Sequence, residues 1–284
     1  MKKIKLSFAL IFSLCIGSFA ITKSNMNPET PVYPDVAYGP DKEQQMDLYL
    51  PEKNAQKNAK VFLLLHGGGW NHGDKEKMNF IANYLRKQFP DHAVANINYR
   101  LATDDSPGFP KQTDDIALAI AYLQNNSQTY GISSQYAFVS SSAGAHLALL
   151  YSYKYDKDAI IKAVSSFVGP VDFTDPSYTE HIKNEYPLKS LIGKKSYKQF
   201  PELYQDVSPI THITAKAPPT LAIYGQKDPL VPYTQAKRLK DRLDHFGVAN
   251  ETYVYPNEAH GDWSAESNAE KLLRMTAFFQ RHFN

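Results

Sequence analysis

One stretch constrains this chain more than any other. Ala137-Phe138-Val139 runs straight into Ser140-Ser141-Ser142-Ala143-Gly144, and an apolar segment from Ala145 to Leu150 follows. The first three residues read as a buried strand and the last six as a buried helix, so the chain must turn within a few small residues. That junction is the setting of a nucleophile elbow, where a serine sits on a strained turn above a sheet, over a helix N-terminus. The turn admits only small side chains two positions before and two positions after the serine. Choosing Ser140 would put Phe138 in the first place, and choosing Ser141 would put Val139 there; Ser142 has Ser140 before it and Gly144 after it. Ser142 is therefore the candidate nucleophile. The usual spelling is G-x-S-x-G, and this chain has S-x-S-x-G. A serine-rich helix cap would look much the same, so the reading depends on what the rest of the chain supplies.

The 284 residues allow one α/β domain or two smaller ones, and 43% hydrophobic residues suffice for a sizeable core. Lys2, Lys3 and Lys5 precede an apolar run from Leu6 to Ala20, too short to span a membrane. Ser18-Phe19-Ala20 then offers the small residues that signal peptidase prefers, so residues 1–20 are expected to be a secretory signal cleaved after Ala20, with a secreted or periplasmic product. Lipid attachment at Cys15 is disfavoured because Leu14, not a small residue, precedes it. The only cysteine leaves with the signal, which excludes disulfides, thiol catalysis and thiolate metal sites in the mature chain. Removing three lysines leaves 28 basic against 29 acidic residues, a net −1 in place of +2. That balance gives no electrostatic case for nucleic acid or an anionic membrane.

From the mature end, residues 24–40 read as an extended arm, Gln44–Leu50 as an edge strand and Asn54–Asn58 as a polar loop. Lys60–Leu65 is a continuous apolar run, the mark of a central strand covered on both faces. Strand and helix then alternate: a helix over Met78–Phe89, a strand over Ala93–Tyr99, a helix capped by Thr113-Asp114-Asp115, the elbow, and a strand over Ala163–Val168. After residues 170–217, rich in proline, tyrosine and lysine and read as a cap-like insertion, come strands at Thr220–Tyr224 and Glu251–Tyr255. Helices are expected at Thr234–Phe246 and at about Asn268–Phe283. The alternation implies one mostly parallel sheet with helices on both faces, residues 21–284 forming a single domain without internal repeats. Ligands in such sheets bind beyond the carboxyl ends of the strands. The glycines after Leu65, the serines after Val139, Asp228 and His260 all fall there.

A serine hydroxyl becomes a nucleophile only when a base takes its proton, and the base needs an acid to hold its ring and tautomer. Asp228, in Gly225-Gln226-Lys227-Asp228-Pro229, and His260, in Asn257-Glu258-Ala259-His260-Gly261, follow the last two strands in the order Ser, Asp, His. Alone, an aspartate in a turn is turn chemistry; the order of the three is what carries weight. Asp172, after the preceding strand, is the competing acid, and Glu258 is too near His260 in sequence to orient it. The amides of Gly68 and Gly69 in His66-Gly67-Gly68-Gly69-Trp70, with that of Ala143, are the oxyanion-hole candidates, since glycines let backbone approach a substrate oxygen. His66 is expected to tie down its loop and His146 to be a satisfied core histidine. The remaining histidines, His72, His92, His181, His212, His245 and His282, show no metal-ligand spacing, so no metal or other cofactor is expected.

His66–Trp70 with Gly73-Asp74-Lys75, Asn98–Leu101, the Ser142 elbow, Ser208-Pro209-Ile210-Thr211 and the Asp228 and His260 loops resemble α/β-hydrolases of the bacterial carbohydrate-esterase and hormone-sensitive-lipase-like carboxylesterase branch. The resemblance spans about residues 35–283. It implies ester hydrolysis through an acyl-enzyme on Ser142, with His260 and Asp228 completing a triad and no cofactor. The expected substrate is a short-acyl, acetyl or feruloyl ester, small or carbohydrate-linked, with Trp70 and Tyr99 as candidates for lining its pocket. A peptidase of the prolyl-oligopeptidase type shares this catalytic domain but needs a propeller for which the chain has no room. An amidase would use the same triad, though the export signal speaks against one. A catalytically dead scaffold used for binding typically loses a triad member, and this chain keeps all three. Residues 170–217 are too polar for a lipase lid, which predicts soluble short-chain esters and no activation at an oil–water interface.

Overall fold

The computed structural model describes residues 31–51, 58–179 and 186–284. The expected signal segment 1–20 with Cys15, residues 24–30 of the expected arm, nearly all of the 54–58 loop and residues 180–185 of the insertion, His181 among them, lie outside the described residues. Eight strands form one sheet: β1 (Val32–Ala37), β2 (Gln45–Tyr49), β3 (Ala59–Leu65), β4 (Ala93–Ile97), β5 (Ile132–Ser141), β6 (Ile161–Phe167), β7 (Thr220–Gly225) and β8 (Asn250–Tyr255). Their order is β1-β2-β4-β3-β5-β6-β7-β8. β2 runs antiparallel to β1 and β4, and every pairing from β4 to β8 is parallel. The helices are α1 (Asn79–Gln88), α2 (Lys111–Asn125), α3 (Ser127–Tyr130), α4 (Ala143–Leu150), α5 (Pro176–Thr179), α6 (Tyr186–Ile192), α7 (Pro201–Asp206), α8 (Thr234–His245) and α9 (Ala265–His282).

The unbroken apolar run of β3 follows from having both faces covered. Leu63 and Leu65 belong to a core shared with α2, α4 and α8, whereas Phe62 and Leu64 belong to one shared with α1 and α9. Each such side chain contributes about 2–3 kcal/mol by leaving water. On the second face Phe62 packs its ring against Phe89, His92, Phe279 and Phe283. Among the described residues no helix is long and apolar enough to cross a membrane.

Several elements differ from the sequence expectation, β5 among them, which runs over Ile132–Ser141 rather than Ala137–Val139 alone. Val32–Ala37, within the arm expected over 24–40, is a strand that forms the sheet edge, and Gln45–Tyr49 lies one place inward. All but one of the edge strand's residues are exposed, and with Pro34 among them they left no alternation to read. Helix α2 begins at Lys111, before the Thr113-Asp114-Asp115 expected as its cap. Asp115 is fully buried there and accepts from the Arg100 guanidinium at 2.6 and 2.9 Å, from Arg100 N at 2.8 Å and from Gln44 Nε2 at 2.7 Å. Its carboxylate therefore pins the segment after β4 to α2 rather than capping a helix. Helix α9 starts three residues before Asn268, capped by Ser264, whose hydroxyl accepts from Ser267 N at 3.2 Å.

The insertion packs where the strands end. In α6, Leu188, Leu191 and Ile192 are buried. The carbonyls of Ser190 and Leu191 accept from Gly108 N and Phe109 N at 2.9 and 2.8 Å, which fastens α6 to the loop before α2.

Candidate active site

The serine turn is strained. Ser142 holds φ 52° and ψ −121°, between the end of β5 and the first residue of α4. A non-glycine residue there costs on the order of 1–3 kcal/mol, so its surroundings must over-determine it. Ser142 N donates to Phe167 O at 2.8 Å, and Ser142 O accepts from His146 N at 3.0 Å. Gly144 completes the clamp: a Cβ there would lie 2.4 Å from the carbonyl oxygens of Leu65 and His66. The need for a small residue two places after Ser142 is thus the close passage of α4 over the end of β3. Two places before it, Ser140 lies inside β5, fully buried, with no partner for its hydroxyl among the described residues.

The loops after β7 and β8 bring the acid and the base to the same edge. They are laced together by Gln226 N on Tyr255 O and Lys227 N on Glu258 O, both at 2.9 Å. A Cβ on Gly225 would come within 2.4 Å of the carbonyls of Glu258 and Ala259. Asp228 Oδ1 accepts from Leu230 N and Val231 N at 2.8 and 2.9 Å, which leaves Oδ2 for His260 Nδ1 at 2.7 Å. Because an ionised carboxylate only accepts, the imidazole proton lies on Nδ1 and the Nε2 lone pair faces outward. Ser142 Oγ is 2.8 Å from that Nε2. The Asp228 side chain is wholly shielded and that of His260 is 21% exposed, so only the ring meets solvent. An oriented acceptor beside a hydroxyl can take its proton during attack on a carbonyl carbon and return it to a leaving group.

The loop after β3 lies against the elbow. A Cβ on Gly67 would be 3.0 Å from Ser142 Cβ, and Gly68, at φ 131°, would drive one to 2.0 Å from His72 O. Among the described residues the amides of Gly68, Gly69 and Ala143 find no acceptor. Free amides on a loop that abuts the elbow, with the first amide of α4, are the kind of donor a developing oxyanion requires.

Asp172 is engaged elsewhere. Its carboxylate accepts from Arg238 and from Thr174 N and Oγ1. Glu258 accepts from Ser264 Oγ at 2.8 Å and serves the start of α9. His66 stacks on Tyr99, centroids 4.3 Å apart, and donates from Nδ1 to Gly67 O at 2.8 Å; burial pushes its pKa down. His146 is buried and doubly bonded, and burial lowers its pKa to about 4.

Trp70 and Tyr99 differ from the expectation of pocket-lining aromatics. They are 3% and 1% exposed, and their polar atoms are spent inside, Trp70 Nε1 on His146 and Tyr99 Oη on His66 O at 2.6 Å. They shape the glycine loop from behind. Sequence reasoning also missed Gln112, whose Nε2 donates to Trp70 O at 2.7 Å and Arg100 O at 2.8 Å. A glutamine on a helix carries no signal of such a task; the nearby Asn98-Tyr99-Arg100-Leu101 motif was the only hint. Among the described residues no group of three His, Cys, Asp or Glu side chains is placed to hold a metal ion.

Residues 46–243 match the family described as BD-FAE. The chain is 28% identical over 239 residues to esterase LipC and 25% identical over 239 residues to esterase LipQ, both of Mycobacterium tuberculosis. Each alignment covers 80% of this chain, but only 59% of LipC and 56% of LipQ. The chain thus spans less than two thirds of the length of these relatives. Among solved structures, a truncated carbohydrate esterase from gut microbiota superposes with a TM-score of 0.74 at 23% identity, covering 88% of this chain and 95% of that one. Esterase B of Lactobacillus rhamnosis, in an inhibited form, superposes with a TM-score of 0.68 at 22% identity, covering 89% of this chain and 87% of its own. These superpositions bear on the fold.

Proposed function

The chain belongs to the BD-FAE family and has the α/β-hydrolase fold; from that premise we propose that it is a serine carboxylesterase. It hydrolyses short-acyl or carbohydrate-linked esters, acetyl and feruloyl among them, through an acyl-enzyme on Ser142. The observation that carries this reading is the chain of contacts from Ser142 Oγ to His260 Nε2 at 2.8 Å and from His260 Nδ1 to Asp228 at 2.7 Å.

Ser142 Oγ attacks the ester carbon as His260 Nε2 removes its proton. The carbonyl π electrons move to oxygen, and the amides of Gly68, Gly69 and Ala143 hold that charge. The intermediate collapses by breaking the bond to the alcohol oxygen, which takes the proton from His260. Water then repeats the sequence on the acyl-enzyme and frees the acid. Asp228 stays ionised throughout and steadies the imidazolium.

Short acyl chains and soluble substrates are supported by the outer segment. Leu188, Leu191 and Ile192 are buried, and Phe200 is the single exposed large apolar residue described there, among the exposed Lys194, Lys195 and Lys198. A lid that meets lipid would present the reverse. The expected ranking is acetyl to butyryl over longer chains, with turnover of acetylated xylan or methyl ferulate and a smooth dependence on tributyrin through its solubility limit. A preference for acyl chains of about ten carbons, or a jump in rate when an emulsion forms, would make it a lipase. Export through residues 1–20 belongs to the same reading. N-terminal sequencing of the protein recovered outside the cytoplasm should start at Ile21, and a cytoplasmic product beginning at Met1 would refute export.

A further inference from the structure

Beneath the glycine loop, one imidazole joins three parts of the chain. Trp70 Nε1 donates to His146 Nδ1 at 3.1 Å, and His146 Nε2 donates to Val207 O at 2.8 Å. An indole N–H can only donate and a carbonyl can only accept, so the ring is neutral with its proton on Nε2. Phe173 closes the group, its ring centroid 5.2 Å from His146 and 6.1 Å from Trp70. Phe173 N donates to Ser208 Oγ at 2.9 Å, on the residue after Val207. The elements meeting here are the loop with Gly68 and Gly69, the helix with Ala143 at its start, and the segment inserted between β6 and β7.

Trp70 sits at φ 65°, directly after Gly68 at 131° and Gly69 at 56°. A bulky residue in that region is under strain, and escape to negative φ would turn the peptide planes around it and swing the neighbouring amides. Its carbonyl is held by Gln112 Nε2 at 2.7 Å and Ala102 N at 2.9 Å. The indole has a single N–H, and His146 is what anchors it.

We propose that His146 is a positioning residue for ester cleavage: through Trp70 it holds the Gly68 and Gly69 amides where the tetrahedral intermediate's oxygen forms, and through Val207 it ties that loop to residues 170–217. The inference rests on the assignment of Ser142 as nucleophile. His146 touches no reacting atom. Its effect is exerted through the register of the hole.

The test compares an acetyl ester with its thionoester, in which sulfur replaces the carbonyl oxygen. Sulfur is a weak hydrogen-bond acceptor on a longer bond, so thionoester turnover draws little on the amides. The ratio of the two kcat/KM values is measured within one sample, so any loss of folded protein cancels. Trp70→Phe and His146→Phe should each shrink that ratio by roughly tenfold or more, as expected for a displaced oxyanion donor. The double variant should lose no more than either single one, because both break the same link. His146→Gln, which keeps an acceptor and a donor on one planar group, should recover most of the ratio. A ratio unchanged within about twofold in both single variants, or losses that multiply in the double, would overturn the inference. Ser142→Ala is run alongside: if it is dead while the ratio is unchanged, the relay alone fails, and if it still hydrolyses ester, the nucleophile assignment fails first.

Discussion

Replacing Asp228 by Asn changes one atom, and the structure dictates where that atom must go. Oδ1 already accepts from two backbone amides, Leu230 N and Val231 N, so the amide oxygen of an asparagine is held on that side. Its NH2 group must then face His260 Nδ1, where Oδ2 stood at 2.7 Å. A donor at that place requires a lone pair on Nδ1 and moves the ring proton to Nε2, which now points a hydrogen at Ser142 Oγ and cannot take one. The base is lost although nothing else moves. Loss of the correct tautomer costs about 10⁴ in kcat, or roughly 5 kcal/mol of barrier at 1.36 kcal/mol per decade. The assay is the initial rate on p-nitrophenyl acetate, with folding checked by thermal melting, for Asp228→Asn beside Asp172→Asn. The latter weakens a buried ion pair with Arg238, whose side chain is 40% exposed and can be rehydrated. It should therefore lower stability by about 1–2 kcal/mol and leave kcat within a few-fold. A larger loss of kcat from Asp172→Asn than from Asp228→Asn would refute the reasoning.

Two further outcomes follow from other contacts. The buried, neutral His146 has its pKa lowered to about 4 from 6.5; the unfolded chain therefore binds its proton first, so stability from this group is complete above pH 6.5 and is lost as pH falls toward 4. At 1.36 kcal/mol per unit this is on the order of 3 kcal/mol; urea unfolding over that range should show a shallower slope for His146→Gln, and parallel curves would contradict it. Gly144→Ala drives a Cβ to 2.4 Å from two backbone carbonyls that have no room to yield, so it should cost several kcal/mol and strip activity; an alanine variant with unchanged melting and rate would show that α4 does not pass this close to β3.

The sheet was legible because burial on both faces leaves apolar runs that nothing else explains, as in Val61–Leu65. The elbow was legible because its turn excludes bulk, and Gly144 shows where that exclusion comes from. Strand β1 was not: on the sheet edge only Val36 packs against the core, so no alternation is selected. Asp115 looked like a cap because an aspartate early in a helix usually is one, whereas here a distant Arg100 claims it. Trp70 and Tyr99 carried the right neighbourhood and the wrong direction. Composition cannot say whether an aromatic beside a site faces the substrate or the core, and the choice was made by internal acceptors at His146 and His66. Between Asp172 and Asp228 the sequence leaves a choice of loops, and Arg238, from helix α8, occupies the first of them.

The proposed acylation of Ser142 is the step on which the rest of the account depends. The direct measurement is reaction with a fluorophosphonate ester, whose phosphorus bonds to the serine oxygen as fluoride leaves and so mimics the tetrahedral carbon intermediate of an attacked ester, followed by digestion and mass spectrometry of the labelled peptide. The expected result is one phosphonyl group per chain, on Ser142, with none taken up by Ser142→Ala and labelling slowed by several orders of magnitude in His260→Ala. Label on Ser140 or Ser141 of the intact protein, or ester hydrolysis that continues in Ser142→Ala, would contradict it.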